Sequence, residues 1–292
     1  MNHILITGAG GNVGQYVAQE LNRLGYSIIG TYRNKEPQSA KYKTIKIDLS
    51  KEELECNGID VIIHIAARIE GTCEQLIEDN LLATQNLIRY AEKCHVKKFI
   101  YISTVSVYGD VDGILHENSD VHNPGIYSMT KLMCEKLLEE SQIPSKMVIG
   151  LPRMLGPYVD LNNTGNSGFL KMVSKIIKNE EVHCYIPEVK YNNYMHVSDL
   201  VEFLDTCVNE EREYAKVLLA TKDIFTMYHI LEIMKKSINS TSELIKEKTE
   251  NIPSCAVVSI EKAIYYGYRP ISSKDTLEMF INEMRKKYEK NK

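Results

Sequence analysis

Short apolar runs alternate with longer segments of helical spacing along the first half of the chain. Each run is short and apolar enough to predict a buried strand. The runs are Ile4–Ile6, Ser27–Gly30, Thr44–Ile47, Val61–Ile65 and Lys97–Ser103. Helical patterns begin at Val13, cover 79–94 and open again at Tyr127. This alternation predicts an α/β fold with a Rossmann-type, doubly wound parallel sheet.

A glycine-rich turn joins the first strand to the first helix. The motif is GxxGxxG preceded by Thr7, and it differs from GxGxxG because Val13 occupies the third glycine position. A helix N-terminus attracts phosphate, and glycines let the backbone approach it closely. A plain strand–turn–helix junction is the alternative. The predicted dinucleotide contacts here are Gly8, Gly11, Asn12, Val13 and Gly14.

Bulk composition excludes several classes of protein. The 292 residues are 43% hydrophobic and 25% charged, which is typical of a globular protein, and the net charge of −4 implies no general affinity for nucleic acid or anionic membranes. No apolar run approaches the length of a membrane span. The seven cysteines are scattered, so no metal site or disulfide framework is predicted, and a reducing cytoplasm is expected.

The residues after the second strand indicate the form of the cofactor. The run Thr31–Lys35 contains no acid to hold a ribose 2′-hydroxyl, whereas Arg33 suits a 2′-phosphate. We expect NADP(H) to be preferred, with NAD(H) as the alternative and a solvated loop arginine as the other interpretation of Arg33. Ala66 and Ala67 end the fourth strand and leave room for the cofactor, and His64 is interpreted as a core residue.

Several motifs occur in order over nearly the whole chain. They are TGxxGxxG, the HIAA run at 64–67, Asn80 followed by Thr84, STVSVYG at 103–109, YxxxK at Tyr127 and Lys131, Gly156-Pro157, YMHVSDL at 194–200 and GYRP at 267–270. The chain thereby resembles the extended short-chain dehydrogenase/reductases of the NAD-dependent epimerase/dehydratase family, which act largely on nucleotide-linked sugars. The resemblance implies further cofactor contacts from Asp48, Leu49, Asn80 and Pro152.

The resemblance also implies the catalytic residues Thr104, Tyr127 and Lys131. Tyr127 and Lys131 are four residues apart and project from one helical face. A phenol has a pKa of about 10, and a nearby ammonium together with an oxidised nicotinamide lowers it. Tyr127 would then act as general acid/base, Lys131 would tune it and bind the cofactor, and Thr104 would hold the substrate oxygen.

The substrate-binding residues follow the same resemblance, with departures from the family. We expect Thr104, Ser106, Arg153, Asn192 and His196 to contact substrate. Dehydratases of the family carry acids after the threonine, where this chain has Val105 and Ser106, so dehydration is disfavoured. Asn192 stands where many relatives have a diphosphate-binding arginine, and the arginine common before Gly-Pro is Gly150 here, with Arg153 nearby.

The domain organisation is expected to be interleaved. Residues 1–155 would form the dinucleotide-binding domain and 156–292 a smaller C-terminal substrate-binding lobe, with a segment near 199–220 returning to the main sheet at Lys216–Ala220. The polar stretch 162–168, which includes Asn163 and Asn166, would be a substrate-covering loop or a plain connector. A homodimer through the helices at 79–94 and 127–141 is expected from the resemblance.

These observations favour an NADP(H)-dependent reductase of a keto group, most simply C4 of a nucleotide-linked (deoxy)sugar. The main alternative is a nucleotide-sugar C4 epimerase with retained NAD, which would use the same three catalytic residues. A small-ketone or aldehyde reductase and a non-catalytic NADP sensor are further alternatives. The partner is in each case a small molecule, and no metal is required.

Overall fold

The computed structural model describes residues 2–162, 164–165, 167–249 and 255–290. The strands are β1 (His3–Thr7), β2 (Ser27–Tyr32), β3 (Lys43–Lys46), β4 (Val61–His64), β5 (Lys98–Thr104), β6 (Gly113–Leu115), β7 (Ser145–Leu151), β8 (Arg153–Leu155), β9 (Val182–Cys184), β10 (Lys190–Tyr191), β11 (Tyr194–His196), β12 (Tyr214–Leu218), β13 (Phe225–Thr226), β14 (Leu244–Lys246) and β15 (Ala256–Val258).

The helices alternate with the first strands and dominate the end of the chain. They are α1 (Asn12–Arg23), α2 (Cys73–Leu76), a π-helical segment (Ile77–Leu82), α3 (Ala83–Lys93), a short 3-10 helix (Val105–Tyr108), α4 (Ile126–Glu139), α5 (Gly168–Lys178), α6 (Val197–Asn209), α7 (Met227–Ser237), α8 (Glu261–Tyr265) and α9 (Ser273–Lys290). None of the described helices is long and apolar enough to cross a membrane.

Seven strands form one parallel sheet in the order β12-β7-β5-β4-β1-β2-β3. The order reverses beside β1, where β4 lies on one side and β2 on the other. In open parallel sheets, ligands bind at the carboxyl ends of the strands next to such a switch point. The Rossmann-type fold predicted from the sequence is therefore confirmed, and the glycine turn after β1 lies at that edge.

The two faces of the sheet are covered by different helices, because side chains alternate along each strand. Ile4 and Ile6 of β1 belong to a core cluster with residues of α1 and α6, whereas Leu5 belongs to a second cluster with residues of α3 and α4. Helix α4, which carries Tyr127, therefore packs on the same face as α3. This packing fixes the position of Tyr127 relative to the sheet.

A third apolar cluster forms the C-terminal lobe. It joins α5, α7 and α9 and includes Phe169, Leu231 and Phe280, all buried. The strand β12 leaves this half of the sequence and pairs with β7 at the edge of the main sheet. The boundary proposed at residue 155 stays a prediction.

The predicted strands agree with the observed ones to within two residues at each end. The helix predicted over 79–94 is wrong at its start, since helical structure begins at Cys73. Thr72 and Gln75 form a capping box there: the Thr72 hydroxyl accepts from the Gln75 N–H at 3.3 Å, and the Gln75 amide oxygen accepts from the Thr72 N–H at 3.1 Å. This reciprocal pair starts the helix two turns earlier than its apolar spacing indicates.

Candidate active site

The glycine turn leaves no space for side chains. Gly8 has φ +73°, in the region that favours glycine, and a Cβ there would lie 2.8 Å from the Ala66 backbone. A Cβ on Gly14 would lie 2.2 Å from the Gly8 carbonyl oxygen. Gly11 is the N-cap of α1, with no side-chain cap, so the first N–H groups of the helix are left for a ligand. This cradle fits the phosphates of a dinucleotide.

A groove of about 740 Å³ extends from this turn to Tyr127, a size ordinary for a cofactor site. All three predicted catalytic residues line it, as do most predicted cofactor contacts. The latter are Gly8, Gly11, Asn12, Val13, Gly14, Arg33, Asp48, Leu49, Ala66, Ala67 and Pro152. The fold thus brings together residues from seven separate chain segments at one edge of the sheet.

Tyr127 and Lys131 lie one turn apart on α4 and differ in exposure. Lys131 is buried, with its Nζ 4.2 Å from the ring centroid of Tyr101, and burial lowers its pKa to about 8. Tyr127 is half-buried, and burial raises its pKa to about 12. The protein alone therefore keeps the phenol protonated. The lowered pKa of Tyr127 expected from the sequence therefore requires a cation bound beside the phenol.

Three hydroxyl groups form a chain next to Tyr127. Thr104 ends β5, and its Oγ1 lies 3.0 Å from Ser106 Oγ and accepts from the Ser106 N–H at 3.2 Å. Ser106 Oγ in turn lies 2.8 Å from Ser128 Oγ, on the residue directly after Tyr127. Because each hydroxyl both donates and accepts, this chain can orient a substrate oxygen without adding a charge.

Asn80 acts on the protein rather than facing the groove. It is buried in the π-helical segment, where its side chain accepts from the Arg68 N–H at 2.7 Å and donates to the Arg68 carbonyl at 2.9 Å. Its amide also donates to Thr130 Oγ1 at 3.0 Å, and that hydroxyl donates to the Tyr127 carbonyl at 2.7 Å. Asn80 thereby connects the loop after β4 to helix α4. Its contact with the cofactor stays a prediction.

His64 is a satisfied core residue, in agreement with the sequence-based interpretation. Its Nδ1 lies 2.6 Å from Thr7 Oγ1 and its Nε2 lies 2.9 Å from Thr84 Oγ1. Thr7 Oγ1 already accepts from the N–H groups of Ile65 and Ala66, so its own hydrogen goes to Nδ1. The ring is thus neutral and protonated on Nε2. Burial, followed by the charge of Lys131, lowers its pKa to about 3.

Arg33 is paired with a carboxylate that the sequence did not single out. Its Nη1 and Nη2 donate to the two oxygens of Asp79 at 2.6 and 2.9 Å, and its Nη1 lies 3.8 Å from Asp48. Arg68 Nε donates to the same Asp79 at 2.5 Å. Arg33 and Arg68 both lower the pKa of the Asp79 carboxyl. All four side chains line the groove.

The segment Asp48–Leu49 is held in place by local hydrogen bonds. Asp48 Oδ1 accepts from the N–H and the hydroxyl of Ser50 at 3.1 and 2.6 Å. The Leu49 carbonyl accepts from the Asn86 amide at 3.0 Å. The segment lines the groove, and its contact with the cofactor stays a prediction.

The five predicted substrate-binding residues do not all lie at one place. Thr104 lines the groove with Tyr127, and Ser106 joins the Thr104 hydroxyl to that of Ser128. Asn192 and His196 are buried in the protein: the Asn192 side chain accepts from the Val258 N–H and donates to its carbonyl, each at 2.9 Å, and His196 Nε2 lies 3.2 Å from Glu283. Both residues therefore have protein partners, and neither lines the groove, nor do Ser106 and Arg153. Contact of these four residues with substrate stays a prediction.

Arg153 connects the sheet edge to the start of α5. Its Nη1 donates to Ser167 Oγ at 3.2 Å, and its guanidinium lies 5.2 Å from the ring of Phe169. Ser167 caps α5 by accepting from the Leu170 N–H at 3.3 Å. In the stretch 162–168, Asn163 and Asn166 lie outside the described residues. The substrate-covering role of this stretch stays a prediction.

Sequence reasoning missed Arg68, Asp79 and Ser128. Each directly adjoins a residue that was singled out, namely Ala67, Asn80 and Tyr127. The available signal was a polar or charged side chain next to a motif position, but spacing could not say which partner it would meet. No group of three or more His, Cys, Asp or Glu side chains able to hold a metal occurs among the described residues.

The fold and the site define an enzyme of the Rossmann-type, dinucleotide-dependent class. The family model of the NAD dependent epimerase/dehydratase family matches residues 4–219, and the chain belongs to this family. Among curated proteins, a putative UDP-glucose 4-epimerase of Methanocaldococcus jannaschii is 22% identical, covering 97% of this chain and 98% of its own length.

Two solved structures share the fold over nearly the whole chain. The UDP-glucose 4-epimerase of Thermotoga maritima, with UDP-glucose, has a TM-score of 0.82 at 19% identity and covers 98% of this chain and 99% of its own. The UDP-glucuronic acid 4-epimerase of Bacillus cereus, in complex with NAD, has a TM-score of 0.80 at 20% identity with the same coverage. At this identity the likeness establishes the fold.

Proposed function

We propose that the protein reduces a keto group by hydride transfer from NADPH, with C4 of a nucleotide-linked (deoxy)sugar as the substrate carbon. The observation that carries the proposal is that Thr104, Tyr127 and Lys131 line one groove, with the Thr104 hydroxyl joined through Ser106 to Ser128. Val105 and Ser106 put no carboxylate after Thr104, so removal of a proton from a neighbouring carbon has no base there. Chemistry at a single carbinol or ketone carbon is what these groups support.

Each residue has a role that follows from its position. A nicotinamide cofactor in the groove would supply the hydride. Tyr127, whose phenol stays protonated in the free protein, donates the proton to the substrate oxygen. Lys131 supplies positive charge that stabilises the resulting phenolate. Thr104 and Ser106 hold the substrate oxygen before the transfer.

The preference for NADP(H) rests on the segment after β2. Tyr32–Lys35 lines the groove and carries Arg33 and Lys35 without an acid, an arrangement suited to a 2′-phosphate. The nucleotide-linked substrate rests on the solved relatives, one of which contains UDP-glucose. A reductase uses NADPH and releases NADP⁺ in each turnover.

A C4 epimerase with retained NAD is the second candidate. It is favoured by the pairing of Arg33 with Asp79, because this carboxylate offsets the charge that a 2′-phosphate would need. The two solved structures described above are also 4-epimerases. The same Tyr127, Lys131 and Thr104 would serve both directions of hydride transfer.

Denaturing the freshly purified protein and identifying any released nucleotide separates the two candidates. The reductase is expected to release little nucleotide and then to bind NADPH more tightly than NADH. Near-stoichiometric NAD would instead support the epimerase. Keto-sugar nucleotides and UDP-sugars are the corresponding substrates to test.

Tyr127→Phe tests the acid/base assignment. Loss of the proton donor is expected to reduce turnover by about 10²–10⁴-fold while cofactor affinity changes little. Tyr265→Phe is the matched control, because this tyrosine is 80% exposed on α8. If Tyr127→Phe retained most of its activity, the proposed proton transfer would be incorrect.

A homodimer through α4 and through the π-helical segment with α3 is part of the proposal. Ile77, Leu82, Ile126, Met129 and Met133 are between 39% and 51% exposed on these helices. Such a row of exposed apolar side chains fits a helical interface. Analytical ultracentrifugation of the wild type and of Met133→Glu tests it: the charge is expected to shift a dimer to monomer.

A further inference from the structure

Asp79, which lines the groove, accepts hydrogen bonds from two arginines. Both of its oxygens accept from the Arg33 guanidinium, and Oδ2 accepts from Arg68 as well. Its side chain is only 9% exposed, whereas those of Arg33 and Arg68 are 36% and 32% exposed. The acceptor is therefore enclosed and the donors are the accessible partners.

The position of Asp79 is fixed by the residue that follows it. Asn80 is buried and exchanges two hydrogen bonds with the backbone of Arg68, at 2.7 and 2.9 Å. This anchors the π-helical segment to the loop after β4. Arg33 lies on the loop after β2, in a different part of the chain. A ligand that competes for Arg33 has to draw the guanidinium away from a carboxylate that stays in place.

The charges of the cluster cancel. Arg33 and Arg68 contribute two positive charges, and Asp79 and Asp48 contribute two negative ones, so the sum is zero. A ribose 2′-hydroxyl adds no charge, whereas a phosphate monoester adds about −1.5 to −2 at pH 7. The fork of Arg33 that matches a phosphate is also the one that Asp79 occupies.

We propose that Asp79 is a specificity-determining residue that restrains binding of the 2′-phosphate by holding Arg33, and so sets the affinity ratio of NADP(H) to NAD(H). Arg68 has the opposite effect on this ratio. It also pairs with Asp79, so it weakens the hold of Asp79 on Arg33 and favours binding of the 2′-phosphate. The proposal rests on the groove being the dinucleotide site of the proposed function. It holds whichever cofactor the wild type prefers, since it concerns the direction in which Asp79 shifts the ratio.

Equilibrium titration of purified protein with NADPH and NADH, followed by nicotinamide fluorescence, tests this. Asp79→Asn is expected to bind NADPH about tenfold more tightly than the wild type, which corresponds to one charge-assisted hydrogen bond made available, with NADH affinity changed less than about threefold. Asp112→Asn is the matched control, as an exposed aspartate outside the groove, and is expected to leave both affinities unchanged.

Arg68→Gln keeps the test decisive if Asp79→Asn folds poorly, and a double variant tests the role of Arg33. Arg68→Gln leaves Asp79 to Arg33 alone and is expected to weaken NADPH binding several-fold with little effect on NADH. Arg33→Gln combined with Asp79→Asn is expected to remove the gain in NADPH affinity. Circular dichroism of each variant verifies folding.

The outcomes distinguish this inference from the proposed function. An unchanged NADPH-to-NADH ratio in Asp79→Asn, or equal weakening of both cofactors, would overturn the inference and assign Asp79 a purely structural role. A wild type that binds only NAD would refute the proposed NADP(H) preference, yet a shift of Asp79→Asn toward NADPH would still support the inference. Binding of neither cofactor by any variant would overturn both.

Discussion

Two charge clusters near helix α4 differ in their surroundings. The groove cluster, Arg33, Arg68 and Asp79, lines the groove, and both of its arginines are about one-third exposed. The inner cluster joins Glu135 to Lys216 at 2.6 Å, with side chains 3% and 15% exposed.

The inner cluster is built into the fold. Ser103 of β5 donates to Glu135, and the Lys216 ammonium lies 4.6 Å from the ring of Tyr108. Glu135 follows Lys131 by one turn of α4. The inner cluster therefore connects β5, α4 and β12 one helical turn from Lys131. Half-exposed ion pairs exchange partners with water or ligand at little cost, whereas buried ones do not. The groove cluster can therefore exchange partners with a ligand, whereas the inner cluster can only hold α4 in place.

Lys216→Met should have the largest effect. Removing the cation leaves Glu135 buried and unpaired, which is expected to cost about 3–5 kcal/mol of the free energy of unfolding in urea. Lys246→Met is a close control, because Lys246 also lies 4.5 Å from a tyrosine ring and pairs with Glu188, but is 52% exposed. Its loss should change the free energy of unfolding far less, because water solvates both exposed partners. Equal losses in the two variants would contradict the comparison.

Acid should lower the stability of the folded protein through the buried side chain of His64. Its folded pKa of about 3 lies below the unfolded value of 6.5, so below pH 6.5 the unfolded chain binds a proton that the folded protein does not. Stability should fall by about 2–3 kcal/mol between pH 6.5 and 4.5 from this group. His64→Gln should show a smaller pH dependence in that range, measured by urea denaturation at each pH. Identical pH profiles would refute the assignment.

Glu135→Gln should shift the pH profile of activity. The Glu135 carboxylate raises the pKa of Lys131, opposing the larger effect of burial. Other ionisable groups around Lys131 are His64, Tyr101, Tyr127 and Cys134. The Lys131 ammonium exists below its pKa, so loss of the carboxylate should move the alkaline decline of kcat to lower pH. Glu139→Gln is the control, because Glu139 pairs with the exposed Lys136, and it should leave the alkaline decline of kcat unchanged.

Asp79→Asn should have the smallest effect on stability. Its arginine partners are partly exposed and can be solvated, so without cofactor we expect a loss of about 1 kcal/mol or less. Because Arg33 lowers the pKa of Asp79, this contribution is present above the unfolded pKa and is lost as pH falls through the folded one. Thermal unfolding at pH 7 and below pH 3 measures it. A loss comparable to that of Lys216→Met would remove the distinction between the two clusters.

The sequence by itself determined the strand–turn–helix at Gly8–Gly14, the order of the strands along the chain, and the pair Tyr127 and Lys131. These features depend on local periodicity, on steric limits at glycine and on residues one helical turn apart, so they can be derived from neighbours in the chain. The neutral core role of His64 also followed from its place inside an apolar strand.

The tertiary structure alone decided which charges meet. Arg33 and Asp79 are 46 residues apart, Glu135 and Lys216 are 81 apart, and Asn192 and Val258 are 66 apart. From the sequence, Arg33 was expected to bind a phosphate and Asn192 to contact substrate. The fold gives each of them a partner within the protein. Ion pairs and hydrogen bonds depend on distances of a few ångströms and on the surrounding dielectric, and both are set by how strands and helices pack rather than by sequence spacing.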